Sequence, residues 1–195
     1  MQLLDSKYDH DKPIELNETA YFPIWYKGDR LGASRVEAWE FMLGGGAGFN
    51  HLNGLFSTYN SAAVGTENEA VLQIYANLKT FLYSFDFVKM RRAADLLAGP
   101  LPSGAFARSI SEPGRQYALY IHHSVLDTEK YIVQPGEYQD SLTLNLPSGR
   151  YRADWTDPLS LSILASDVFQ HSTGPRTLST PTYAIDLALR LISLQ

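Results

Sequence analysis

The sequence predicts two kinds of structure in one chain: α/β through about residue 100, then all-β to the end. Three observations carry this. From Lys12 to Asn50 the chain reads KPIELNETAYFPIWYKGDRLGASRVEAWEFMLGGGAGFN, which is a short apolar run, a polar loop, an amphipathic stretch, a glycine run and a second short run, in the order of a βαβ unit. From Thr66 to Leu82 apolar residues recur at helical spacing. From Ala105 onward the spacing drops to two, broken by Pro, Gly and Asp turns.

The 195 residues allow one large domain or two small ones. Twelve Tyr and nine Phe favour strands and aromatic-lined sites. The net charge is −5 with no Lys/Arg run, so nucleic acid is not an expected partner. The absence of Cys excludes disulfides and thiolate metal sites. No apolar run approaches the roughly 20 residues of a membrane span, so no membrane is expected either. MQLLDSKYDHDKP lacks the basic and apolar regions of a signal peptide, which predicts a cytoplasmic chain unless Met1 is not the true start.

Asp9-His10-Asp11 has the residue types of a metal cluster, but no further ligand group stands at helical or strand spacing to it. It reads as a solvated loop, and no metal is expected. Ile14 to Asn17 is a short strand opened by Pro13. Glu18 follows at its carboxyl end, where α/β folds keep their chemistry. It is either a catalytic carboxylate or a loop glutamate that holds a backbone N–H or pairs with Arg30 or Arg35. Asn17-Glu18-Thr19 is also a glycosylation sequon, a poor acceptor at a strand end that faces a site. Tyr21, Phe22, Trp25 and Tyr26 crowd the next loop. Ring faces pack on the apolar faces of sugars, so this is a sugar platform or a loop folded onto its own scaffold.

Ser34-Arg35-Val36-Glu37 has the form of a capping box and predicts a helix to about Leu43, with Val36, Trp39 and Leu43 on one face. Gly44 to Gly46 stops it. The tract is not a phosphate loop, which would open a helix and end in Lys-Ser/Thr. Ala47 to Asn50 is a second short strand. His51, Asn53 and Asn60 lie in the polar loop beyond and can face a ligand, although a lone His is more often structural. Thr66 to Glu69 is a second capping box. Val71, Ile74, Tyr75, Leu78, Phe81 and Leu82 then form the core-facing stripe of a long helix. A short helix from Ala93 to Leu97 and a linker from Gly99 to Gly104 follow.

In the second half, Tyr117, Leu119 and Ile121 alternate with Ala118, Tyr120 and His122. Leu142, Leu144 and Leu146 alternate with Thr143 and Asn145, and Tyr151, Ala153 and Trp155 with Arg150, Arg152 and Asp154. Tyr183, Ile185, Leu187, Leu189 and Leu191 repeat the pattern, so the last segment reads as strand despite its helical propensity. Seven or eight strands in about 90 residues predict a small antiparallel β-sandwich. Asp154 to Pro158 reads as a turn between strands. His122, His123 and His171 read as surface residues, with no carboxylate or Cys at ligand spacing.

Together these residues carry a resemblance. NETAYFP followed by R-x-x-AWEFMLGGGAGFNHL resembles the last strands and helices of the cellulase-like and apiosidase-like (β/α)8 glycoside hydrolases. GRQYALYIHH, PGEYQDSLTLNLPSGRYRADWTDP and TPTYAIDLAL resemble the C-terminal β-sandwich those enzymes often carry, a module named for collagen binding. The resemblance spans nearly the whole chain. It implies an α/β plus all-β architecture, with a partial TIM barrel (its last βα units) over residues 1–99 and an antiparallel β-sandwich over residues 104–195. It implies a carbohydrate substrate, no cofactor, and hydrolysis by two carboxylates roughly 5 Å apart in retaining enzymes. Glu18 would be the nucleophile. Tyr21 and Trp25 would line the sugar subsite, with Arg35, Asn50 and His51 completing the substrate-binding set.

A whole barrel needs about 200 to 250 residues. The resemblance therefore implies the C-terminal fragment of a polysaccharide-acting glycoside hydrolase, without the strand that bears the acid/base carboxylate. Glu15, three residues from Glu18 on one strand, is expected to point to the other face. Such a chain is expected to be inactive alone, or to need a polypeptide that supplies the missing barrel strands. The alternative is a non-catalytic carbohydrate-binding or structural accessory module. Leu159-Ser160-Leu161 also departs from the sandwich pattern, which usually has Gly soon after the Asp-Pro turn. Relatives of this kind are often exported, so the resemblance leaves the compartment open.

Overall fold

The computed structural model describes residues 2–10, 12–19, 21, 26–51, 59, 63–66, 68–128 and 130–194. Its helices are α1 (Gln2–Lys7), α2 (Arg30–Leu43) and α3 (Asn68–Tyr83). Its strands are β1 (Glu15–Thr19), β2 (Gly48–His51), β3 (Arg91–Arg92), β4 (Ala105–Glu112), β5 (Gln116–Asp127), β6 (Lys130–Val133), β7 (Ser141–Asn145), β8 (Gly149–Thr156), β9 (Ile163–His171), β10 (Pro175–Ser179) and β11 (Asp186–Ser193). No described helix is long and apolar enough to cross a membrane.

A seven-stranded antiparallel sheet, curled into a half-barrel, dominates the molecule. Its order is β3-β4-β5-β11-β8-β9, with β6 paired to the far end of β5. The central strand β11 sets Leu189 opposite Leu119 on one side and Trp155 on the other. Successive side chains of a strand point to opposite faces, and here both faces are covered. Tyr117, Leu119, Ile121, Leu187 and Leu191 pack against Leu142, Leu144 and Leu178 of the small β7–β10 sheet. On the other face, Ala118, Tyr120, Ile110 and Ala188 take Trp39 and Leu43 of α2 with Leu78 and Phe81 of α3. The alanines leave room for Trp39, whose ring stacks on Tyr120 at 5.5 Å.

This overturns the expected architecture. Among the described residues one strand pair is parallel, β1 with β2, and no barrel of βα units is formed. The helices lie directly on the antiparallel sheet. The alternation in β5 and β11 is not apolar against polar, because the second set contains Ala118, Tyr120 and Ala188. Burying that set brings α2 and α3 onto the sheet.

Local expectations shift for similar reasons. α2 starts at Arg30, four residues before the anticipated cap, because the Asp29 carboxylate accepts from the Gly32 amide at 3.0 Å. Ser34 and Glu37 are consequently buried inside the helix. No helix forms at residues 93–97. Arg91 and Arg92 pair with β4, the Ala93 amide bonds to the Ser109 carbonyl, and Leu97 bridges to Leu144. Asp154 to Thr156 continue β8, and the chain turns afterwards, where the Asp157 carboxylate accepts from the Leu159 amide and the Ser160 hydroxyl. Gly44 to Gly46 do end α2: a Cβ at Gly46 would collide with the Phe41 ring, and Gly45 has φ +99°.

His122, His123 and His171 are buried, not superficial. His122 lies between Glu40 and Ser124 at 3.1 and 3.0 Å, His123 bonds to Tyr183, and His171 to the carbonyls of Leu146 and Gly174. Among the described residues no group of three His, Asp or Glu is placed to hold a metal.

Candidate functional site at the ends of the parallel strand pair

β1 and β2 pair Glu15 with Gly48, Leu16 with Phe49 and Thr19 with His51. The register breaks between Leu16 and Thr19, and Glu18 sits in the break with φ 60°. The left-handed conformation costs a side-chain-bearing residue about 1–2 kcal/mol. Such a residue persists only where its surroundings impose it. All six residues from Ile14 to Thr19, Glu15 and Glu18 among them, line a cavity of ≈ 390 Å³. Leu4, Phe41 and Glu37 form another wall, and Leu126, Thr128, Lys130 and Tyr131 of the β5–β6 hairpin close it.

The buried Glu37 carboxylate accepts a hydrogen bond from the Thr19 hydroxyl. Burial raises its pKa, and the Thr19 bond and the Lys130 charge offset this only in part. One turn on, Glu40 goes the other way. Burial alone would raise it, but His122, the Tyr131 hydroxyl at 2.5 Å and the Arg108 charge override that and bring it to about 2. Arg108 also holds Asp5 of α1, with nitrogens at 2.7 and 2.9 Å from its carboxylate.

A smaller cavity of ≈ 170 Å³ is lined by Tyr21, Gly28, Asp29, Arg30, Leu31, Ser34, His51 and Val71. Tyr21 is buried rather than displayed. Its carbonyl accepts from Arg30 Nε at 2.6 Å, its hydroxyl accepts from the Tyr131 amide at 3.3 Å, and its ring meets Tyr26 edge-on at 4.9 Å. The Lys130 ammonium lies 4.7 Å from the ring centroid. Burial, and then the Glu37 charge, push the Tyr21 hydroxyl well above the usual phenol range. Tyr21 thus belongs to the smaller cavity and touches residues of the larger.

His51 ends β2 with its ring 5.6 Å from that of Tyr75. Neither ring nitrogen has a hydrogen-bond partner among the described residues. Burial, then the Lys130 charge and, more weakly, that of Arg30, lower its pKa to about 4 against an opposing contribution from its own backbone, so the imidazole is neutral at pH 7.

Tyr21 and His51 are therefore brought to one cavity, with Glu18 at its neighbour. Asn50 donates to Asn17 Oδ1 at 2.6 Å, beside Glu18. Arg35 is set apart. Its guanidinium lies against the sheet and bonds Asp186 twice, at 2.8 and 2.9 Å, while Tyr120 donates to the same carboxylate at 2.7 Å. Trp25, with Phe22, Asn53 and Asn60, lies outside the described residues. Sequence reasoning missed Glu37, Asp29, Lys130 and Tyr131. A signal existed for Glu37: a helix that is apolar nearly all round is buried, so the charges of Arg35, Glu37 and Glu40 had to find partners. None pointed to Lys130 and Tyr131, about a hundred positions away.

No protein-family model and no curated protein matches the chain. Solved structures do. A glycoside hydrolase family 5 protein from Bacteroides vulgatus superposes with TM-score 0.64 at 10% identity, over 98% of this chain and 44% of that one. A second glycoside hydrolase gives TM-score 0.58 at 10% identity, over 94% and 43%. A glucosidase from Croceicoccus marinus gives 0.53 at 15% identity, over 97% and 48%. The chain spans less than half the length of these proteins, and at such identities the likeness is one of fold: this is a glycoside-hydrolase-related fold.

Proposed function

We propose that the chain is the C-terminal part of a glycoside hydrolase acting on polysaccharide, with the saccharide lying across the carboxyl ends of β1 and β2. The observation that carries this reading is Glu18: a carboxylate in a left-handed break at the end of a parallel strand, opening on a cavity. In the proposed site Glu18 is the nucleophile, Tyr21, Trp25 and His51 form the sugar subsite, and Asn50 steadies the Glu18 strand end through Asn17. Arg35 acts indirectly, by fixing α2 on the sheet.

By itself the chain is proposed to be inactive. Glycoside hydrolysis needs two carboxyl groups flanking the scissile bond. Glu15 and Glu18 come from one short strand and share one wall, and Glu37 is buried against Thr19. The second carboxylate would come from a further polypeptide segment. This same lack supports the second reading, a non-catalytic carbohydrate-binding or accessory module.

Calorimetric titration of the chain with β-1,4-linked gluco- and xylo-oligosaccharides, paired with assays on aryl glycosides, tests the proposal. Binding that weakens in Glu18→Gln, without turnover, is expected. Turnover by the chain alone would refute its incompleteness, and the absence of any saccharide binding would refute the carbohydrate reading.

A further inference from the structure

We propose that the cavity beside His51 is a subsite for a hydroxyl group of a neutral sugar, with the His51 imidazole as its hydrogen-bonding anchor. This rests on the carbohydrate reading above and gives it a second contact point, away from Glu18.

Buried polar atoms in folded proteins are nearly always hydrogen-bonded, and leaving one bare costs about 1–3 kcal/mol. His51 leaves both ring nitrogens bare among the described residues. The residue is half-buried, its two ring nitrogens are shielded from solvent, and its tilted contact with Tyr75 is one that Phe would supply as well. The ring instead lines a cavity of ≈ 170 Å³, several times the roughly 30 Å³ that a water occupies in the liquid.

The chemistry of the ring narrows the occupant. A neutral imidazole presents one donor and one acceptor. A hydroxyl is also both, so the two are complementary. A carboxylate only accepts, and would leave the acceptor nitrogen bare; a phosphate at pH 7 keeps an O–H but brings a net negative charge. The charges on the cavity lining are balanced. The Asp29 carboxylate caps α2 through Gly32 and opposes an anion, while Arg30, whose Nε is on the Tyr21 carbonyl, opposes a cation. Ser34 and the Tyr21 ring complete the kind of mixed lining that a sugar ring uses, with an apolar face and hydroxyl edges.

Position supports the same assignment. His51 pairs across the ladder with Thr19, the residue after Glu18. A saccharide held at Glu18 would therefore have a neighbouring hydroxyl within the reach of this subsite.

The test uses the full chain labelled with ¹⁵N-histidine at pH 7, with the His51 ring signals assigned by their loss in His51→Gln. Glucose, xylose and inorganic phosphate are the probes. Glucose or xylose should shift the His51 nitrogens saturably while the ring stays neutral, and phosphate should not. His51→Phe should weaken saccharide binding at least tenfold, and His51→Gln, which keeps a donor and an acceptor, by less. Saccharide binding that leaves the His51 ring unmoved and is unchanged in His51→Phe would overturn the subsite and leave the carbohydrate reading standing. No saccharide binding at all would overturn both. A phosphate-induced shift to the imidazolium form would overturn the subsite in favour of an anion site. If His51→Gln fails to fold, the His51 signals are assigned by elimination from variants at the other four histidines, and the ring shifts are still read on the unaltered protein.

Discussion

Glu18 pairs a costly backbone with an exposed carboxylate, and the two can be separated by substitution. Glycine adopts φ near +60° without the side-chain penalty. Glu18→Gly is expected to raise stability by up to about 1 kcal/mol in denaturant unfolding while reducing saccharide binding. A destabilised Glu18→Gly would instead show that the side chain is a structural prop. Glu40 provides a different residue-level test. Its pKa falls from an ordinary 4.5 to about 2 in the folded state. The folded chain then binds fewer protons than the unfolded one between these values. The resulting stability is fully present above pH 4.5 and is lost as pH falls toward 2. Glu40→Gln should flatten that acid limb of stability against pH. Glu37 has the opposite sign, since its raised pKa favours the protonated folded state, and Glu37→Gln should not flatten the limb. What the sequence shows at this scale is identity without direction. Glu18 was legible as a strand-end carboxylate, but its left-handed φ was not, because nothing in so short a run of residues marks where the register with β2 breaks.

At the scale of elements, α2 connects the site to the sheet. It places Glu37 and Phe41 beside the larger cavity and Ser34 beside the smaller, and it is held by the Arg35–Asp186 pair. Both partners are buried, so removing one strands the other. Asp186→Asn or Arg35→Met is expected to cost about 3–5 kcal/mol. The double variant Arg35→Met/Asp186→Leu should recover a large part of that in thermal unfolding, since no lone charge remains. Equal losses in single and double variants would mean that Tyr120, which also bonds Asp186, carries the interaction. The limits of a helix and its partner are set by different information. The helical stripe and the glycine stop of α2 were readable from spacing alone. Its start was not, because Ser34-x-x-Glu37 imitates a capping box while Asp29 and Gly32 form the actual cap. The last strand was readable because its period is two, but which helix would cover Ala188 was not.

At the scale of the whole molecule, a curled antiparallel sheet stands where a partial TIM barrel was expected. The proposed boundary between residues 1–99 and 104–195 can still be tested as a boundary. α2 and α3 bury Trp39, Leu43 and Phe81 on the sheet, and Leu97 bridges to Leu144 across the segment between them. Limited proteolysis within residues 99–104 is therefore expected to leave two fragments that co-migrate on size exclusion. Fragments that separate without denaturant would show two independent domains. The fold-level lesson lies in the outward set of β5. Ala118 and Tyr120 gave the period of a strand, but only the tertiary packing of Trp39 on Tyr120 decides that a second face is buried.

The proposed saccharide site at the carboxyl ends of β1 and β2 is tested most directly by a ¹H–¹⁵N NMR titration of the backbone amides with β-1,4-linked gluco- and xylo-oligosaccharides. The expected result is saturable shifts confined to Glu18 to Tyr21, Asp29 to Ser34 and Gly48 to His51. Shifts centred on the β7–β10 sheet, or none at any saccharide concentration, would contradict it.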